Sequence, residues 1–112
     1  MQFNHVAHRV AAAHFETIVA LFKEELGFTE LRRTARAIWL RSEGFNIDLQ
    51  FSRVERAAED PERSRAQVSF LSLSPRADLE ALAAWLGARG LSATVGAYSD
   101  REFYLDAPAA LV

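Results

Sequence analysis

Residues Phe3 to Val10 (FNHVAHRV) alternate in character. Asn4, Val6, His8 and Val10 fall on one side and Phe3, His5, Ala7 and Arg9 on the other, which is the period-two pattern of a β-strand. From Ala11 to Leu26 the period changes: Phe15, Ile18, Val19, Leu21, Phe22 and Leu26 recur at helical spacing and predict a helix near 12–26. Gly27 follows where a helix end favours a left-handed residue. Phe28 to Arg33 and Ala37 to Arg41 (AIWLR) read as strands. After the turn signal Ser42-Glu43-Gly44, Asn46 to Ser52 (NIDLQFS) sets Ile47, Leu49 and Phe51 against Asp48 and Gln50. The first half therefore reads β-α-β-β-β.

The stretch from Arg53 to Arg65 (RVERAAEDPERSR) is charged, nearly free of large apolar residues and contains Pro61, so it reads as a solvated linker. The order then repeats. Ala66 to Leu73 (AQVSFLSL) predicts a strand. Pro75 to Arg89 predicts a helix with Leu79, Leu82, Ala83 and Leu86 on one stripe and Ser74 as N-cap, with Pro75 in the first helical position. Gly90 is the matching helix stop, and Ser92 to Tyr98, Glu102 to Leu105 and Ala109 to Val112 are the remaining strand candidates. Each unit alone would leave a sheet face uncovered. The pattern predicts a single α+β domain of duplicated β-α-β-β-β modules, about 1–52 and 66–112 with the linker 53–65 between them. The expected product is a curved mixed sheet around a concave cleft, with the helices on its outer face.

Composition narrows the function classes. The 112 residues suit one domain, and half of them are hydrophobic, enough for a core without staples. With no Cys, disulfides and thiolate metal sites are excluded. A formal charge of -2 with mixed signs does not point to nucleic acid or an acidic membrane as partner. The apolar runs are too short for a membrane span and no signal peptide is evident, so the expected location is the cytoplasm.

Side-chain parity gathers the candidate chemistry. If Ile38 and Leu40 face a helix, Trp39 and Arg41 face the other way, with Asp48 and Gln50. His5 and Arg9 lie opposite the Val6/Val10 side, and Gln67 lies opposite Val68 and Phe70. Tyr104 is a further candidate for the same cavity. An aromatic wall with one or two arginines suits a flat or anionic organic molecule, while Trp39 reads equally well as core or as a dimer interface. His8 shares the Val6/Val10 side and is expected beneath the first helix as a core histidine with its nitrogens hydrogen-bonded.

Three stretches carry a resemblance: the opening FNHVAHRV, Leu26-Gly27-Phe28, and the closing Glu102-Phe103-Tyr104-Leu105-Asp106-Ala107-Pro108. Together with the duplication they resemble the vicinal-oxygen-chelate superfamily, the fold of glyoxalases, bleomycin-resistance proteins and extradiol dioxygenases. In its metal-using members the resemblance implies ligands at His5, Asp48 and Gln67. The fourth, a Glu beyond Asp106-Ala107-Pro108, has no counterpart in Ala109-Ala110-Leu111-Val112. The first function implied is a small-molecule-binding module without strong metal dependence, with a homodimer as the working form. Its cleft would be lined by His5, Arg9, Trp39, Arg41, Asp48, Gln50, Gln67 and Tyr104. The second is a metal-dependent lyase or dioxygenase in which His5, Asp48 and Gln67 hold Zn, Ni, Mn or Fe, and the third is a degenerate module serving only in assembly.

Overall fold

In the computed structural model, which describes residues 5–44, 48–55 and 67–111, the first alternating segment becomes strand β1 (His5–Ala11). A 3₁₀ turn (Ala12–His14), helix α1 (Phe15–Ala20) and a π-helical turn (Leu21–Glu25) follow without interruption. Leu26 N donates to Leu21 O at 3.2 Å, a five-residue spacing that widens the last turn. Gly27, at φ 70°, takes the left-handed conformation that reverses the chain. Strands β2 (Phe28–Arg33), β3 (Ala37–Ser42) and β4 (Asp48–Val54) complete a mixed sheet in the order β1-β4-β3-β2. Its β1–β4 pair is parallel and its other two pairs are antiparallel.

The alternation decides which side meets the helix. Val10, Ile38, Leu40, Leu49 and Phe51 are buried on one sheet face, and α1 with its π turn lays Phe15, Ile18, Val19, Leu21 and Phe22 over them. Phe22 is the keystone of this layer. Its ring stands edge-on to Phe28 at 5.2 Å and to Phe51 at 4.8 Å, contacts worth about 0.5–1.5 kcal/mol each beyond the area they bury. On the rim of the same side, Glu30 accepts from Lys23 (3.0 Å) and Arg33 (2.8 Å), and Glu16 accepts from Arg33 (2.8 Å) and Arg53 (2.9 Å). Hydrogen bonds from Arg33 and then Lys23 hold the Glu30 carboxyl below its ordinary pKa, and Glu30 and then Glu16 raise that of Arg33.

The second half is leaner. Helix α2 (Pro75–Gly87) buries Leu86 and packs Leu82 and Trp85 against the same core, to which Leu91, Ala107 and Ala110 also belong. Gly90, at φ 80°, ends it, with Leu91 N donating to Leu86 O at 3.1 Å. Strands β5 (Thr94–Ala97) and β6 (Phe103–Asp106) form an antiparallel pair. Leu111 joins the first sheet through a single bridge to Val10, beside a 2.7 Å bond from Ala11 N to Ala110 O. No helix among the described residues is long and apolar enough to cross a membrane.

The architecture is α+β, and the two modules are unequal. The strand expected at Ala66 to Leu73 does not form over its described part, Gln67–Leu73. There Val68 packs against the core and the Phe70 ring lies 6.3 Å from Phe22 and 6.2 Å from Phe28, while among the described residues the segment belongs to no ladder. Ser72 Oγ bonds the Asp78 carboxylate and accepts from Ser74 N at 2.9 Å, which turns the chain directly into α2. Ser74 occupies the N-cap position, yet its hydroxyl makes no capping bond. The strand expected at Ala109 to Val112 shrinks to the Leu111 bridge, after a turn in which Leu111 N donates to Ala107 O at 2.9 Å. Strand β4 runs on to Val54, into the expected linker; Asn46, Ile47 and 56–66 lie outside the described residues.

Candidate functional site

The sheet face opposite α1 lies open. His5, Ala7 and Arg9 are exposed on it, and Trp39, Arg41, Gln50 and Ser52 are half-buried. Strand register arranges this face in three rows. His5, Asp48, Arg41 and Thr29 form the first, Ala7, Gln50, Trp39 and Arg32 the second, and Arg9, Ser52 and Ala37 the third. Neighbours within a row are about 4.8 Å apart between strands, and successive rows are about 7 Å apart along them.

The first row is built around Asp48, which is only 6% exposed. Arg41 Nε donates to its Oδ1 at 2.6 Å and Arg41 Nη2 to its Oδ2 at 3.2 Å, a two-pronged pair matched to carboxylate geometry. The bond to Asp48 raises the pKa of Arg41 above its ordinary value. In the second row the Arg32 guanidinium carbon sits 4.7 Å from the centroid of the Trp39 ring. Arg32 reaches that place through a bulge in β2: Glu30 pairs with Leu40 and Arg32 with Trp39, so Leu31 is passed over. Gln50 Nε2 donates to Ser52 Oγ at 3.0 Å, which draws the amide along β4 toward the third row.

His5, Arg9, Trp39, Arg41, Asp48 and Gln50 thus share one face, as their parity implies. Gln67 and Tyr104 do not join them. Gln67 is exposed and belongs to no strand, because its segment makes no ladder. Tyr104 belongs to the β5–β6 pair, where it faces Gly96 in register and its ring lies 4.8 Å from Tyr98. A side chain at position 96 would overlap the Tyr104 ring, so this tyrosine is held by its own hairpin. Arg32 escapes the sequence reading because strict alternation through Phe28–Arg33 ignores the bulge. His8 lies on the α1 side of the sheet, edge-on to Phe51 at 6.4 Å, but its Nε2 is buried and, among the described residues, unpartnered rather than hydrogen-bonded as expected.

The donors His5, Asp48 and Gln67 do not fit a divalent ion. Both Asp48 oxygens already accept from Arg41, and Gln67 belongs to no strand of the sheet. Among the described residues no group of three or more His, Asp or Glu side chains is arranged to hold a metal. An open depression of about 500 Å³ lies elsewhere, at the start of α2, between Ser72, Ser74, Pro75 and Arg76 and the Asp100–Arg101 turn. No residue of the three rows lines it.

No family description matches the sequence, and no curated protein matches it. Solved structures do. An integron cassette protein from the mobile metagenome of the Halifax Harbour sewage outfall is similar over 98% of this chain and 93% of its own, with 22% identity and a TM-score of 0.56. A lactoylglutathione lyase from Agrobacterium tumefaciens is similar over 97% of this chain and 87% of its own, with 10% identity and a TM-score of 0.50. Identities this low speak for the fold alone, and the fold is glyoxalase-like.

Proposed function

We propose that this chain is a small-molecule-binding protein of the glyoxalase/bleomycin-resistance type whose ligand lies on the open sheet face and whose binding needs no divalent metal. The observation that carries this reading is the content of the face: Trp39 stands at its centre, surrounded by Arg32, Arg41, Asp48 and Gln50, with only small side chains at Ala7 and Ala37. Aromatic area with a few convergent polar groups is what ligand sites use. Metal independence follows from the Arg41 pair, since an ion would have to displace a two-pronged guanidinium from the Asp48 carboxylate.

A fragment screen by amide NMR tests this. Compounds of differing charge are expected to perturb resonances of the three rows, and EDTA is expected to leave their affinities unchanged. A screen in which no compound perturbs those rows would overturn the binding reading, and loss of binding in EDTA would overturn metal independence. The metal-dependent lyase reading keeps one supporting observation, the register position of His5 beside Asp48. It would gain the advantage if Ni²⁺ or Zn²⁺ raised the melting temperature saturably and the rise disappeared in His5→Ala.

A further inference from the structure

We infer that the open face selects a planar aromatic carboxylate, with Arg32 serving as a displaceable cap on the Trp39 ring; this rests on the ligand-binding reading of that face. The argument begins with charge. On the helix side of the sheet, Lys23, Arg33 and Arg53 all pair with Glu16 or Glu30. The open side carries Arg9, Arg32 and Arg41, and Asp48 is the single carboxylate in the three rows, already taken by Arg41. Among the described residues neither Arg9 nor Arg32 has a carboxylate partner, so the face holds an excess of positive charge.

Shape supplies the second step. Arg32 covers Trp39 with its own planar group, the way a flat ligand would. It is exposed, sits on an edge strand, and among the described residues is held there by a ring contact alone. Solvent-facing contacts of this kind are weak, so an aromatic ring competes for the place. With the ligand ring on Trp39, Arg32 moves to the ring's edge and meets the carboxylate there. Arg41, one row away, is pinned and neutralised by Asp48, so the ion pair falls to Arg32. A neutral aromatic gains the stack without the ion pair, and an aliphatic acid gains the ion pair without the stack. The face discriminates by requiring both.

Calorimetric titration with 2-naphthoate, naphthalene-2-carboxamide and cyclohexanecarboxylate tests the pairing. 2-Naphthoate is expected to bind about tenfold or more tightly than either of the others and to weaken as salt is raised. Arg32→Met and Trp39→Leu should each weaken it about tenfold. Trp85→Phe is the control, because Trp85 lies under Arg89 on α2 at 3.4 Å, away from the three rows, and should leave binding unchanged. Should Trp39→Leu fail to fold, Arg32→Met carries the test, since Arg32 is exposed. Equal affinity for acid and amide, or loss of binding in Trp85→Phe alone, would overturn the inference. So would sedimentation showing that Trp39→Leu turns a dimer into a monomer, because the face would then be an interface between copies. If neutral fragments bind through Trp39 while the acid binds no better, the charge inference fails and the binding reading stands. If nothing tried binds the face, both fail.

Discussion

Asp48 is buried with both oxygens committed to one guanidinium, so removing Arg41 alone leaves a carboxylate without a counter-charge. Arg41→Met is therefore expected to lower the urea midpoint, and Arg41→Met/Asp48→Asn to recover most of the loss. A double variant no more stable than the single would mean that the pair contributes packing rather than charge compensation. The same substitution frees Asp48 beside His5 in register. Ni²⁺ is expected to raise the melting temperature of Arg41→Met more than that of the wild type. Equal shifts would show that Arg41 is not what keeps ions off this carboxylate. His8 gives a second residue-scale expectation. Burial lowers its pKa below 6.5, so the unfolded chain takes up the proton more readily than the folded one. Its contribution to stability is full above pH 6.5 and is lost as pH falls through the lowered folded value. Urea melts between pH 7.5 and 5 should show that decline in the wild type and a flatter profile in His8→Leu; parallel profiles would refute it.

At the level of elements, β2 is where sequence and structure part. In Phe28-Thr29-Glu30-Leu31-Arg32-Arg33, strict alternation sets Leu31 on the Thr29 side, opposite Trp39. The bulge instead passes over Leu31, and Arg33 reaches the helix side, where Glu16 and Glu30 await it. Deleting Leu31 should give a regular ladder that keeps Arg32 over Trp39 and Arg33 among its carboxylates. The cost should be within about 1 kcal/mol, because Leu31 is unpaired and 45% exposed. A loss of several kcal/mol in denaturant melts would show that the bulge stores something the ladder needs. The contrast explains what was legible. Trp39, Arg41, Asp48 and Gln50 could be placed by parity because β3 and β4 pair without slipping. Arg32 could not, since a bulge depends on what the neighbouring strand and helix offer rather than on the strand's own pattern. Gln67 and Tyr104 fall outside the three rows for the opposite reason: their segments alternate, yet among the described residues one belongs to no ladder and the other pairs in a separate hairpin.

For the whole molecule the unequal halves leave a consequence at Gln67–Leu73. This segment keeps the in-out character of a strand: Val68 packs on the core and Phe70 reaches the Phe22 and Phe28 rings, while Leu71 and Leu73 are fully exposed at 104% and 105%. A backbone segment outside any ladder, flanked by exposed leucines, is the arrangement that edge strands normally avoid because it invites another chain. The homodimer that the resemblance implies is therefore expected to use it, with the segment meeting its counterpart across a two-fold axis. Leu71→Lys/Leu73→Lys places charges there at no cost to the core. The urea midpoint should stay within the change of about 0.5 kcal/mol typical of surface substitutions. Sedimentation at matched concentration should move toward the monomer mass, while 2-naphthoate affinity at the Trp39 face stays as in the wild type. An unchanged dimer mass would place the contact between copies elsewhere, a wild type already at the monomer mass would overturn the dimer expectation, and a large fall in the midpoint would mean that the two leucines belong to the fold after all.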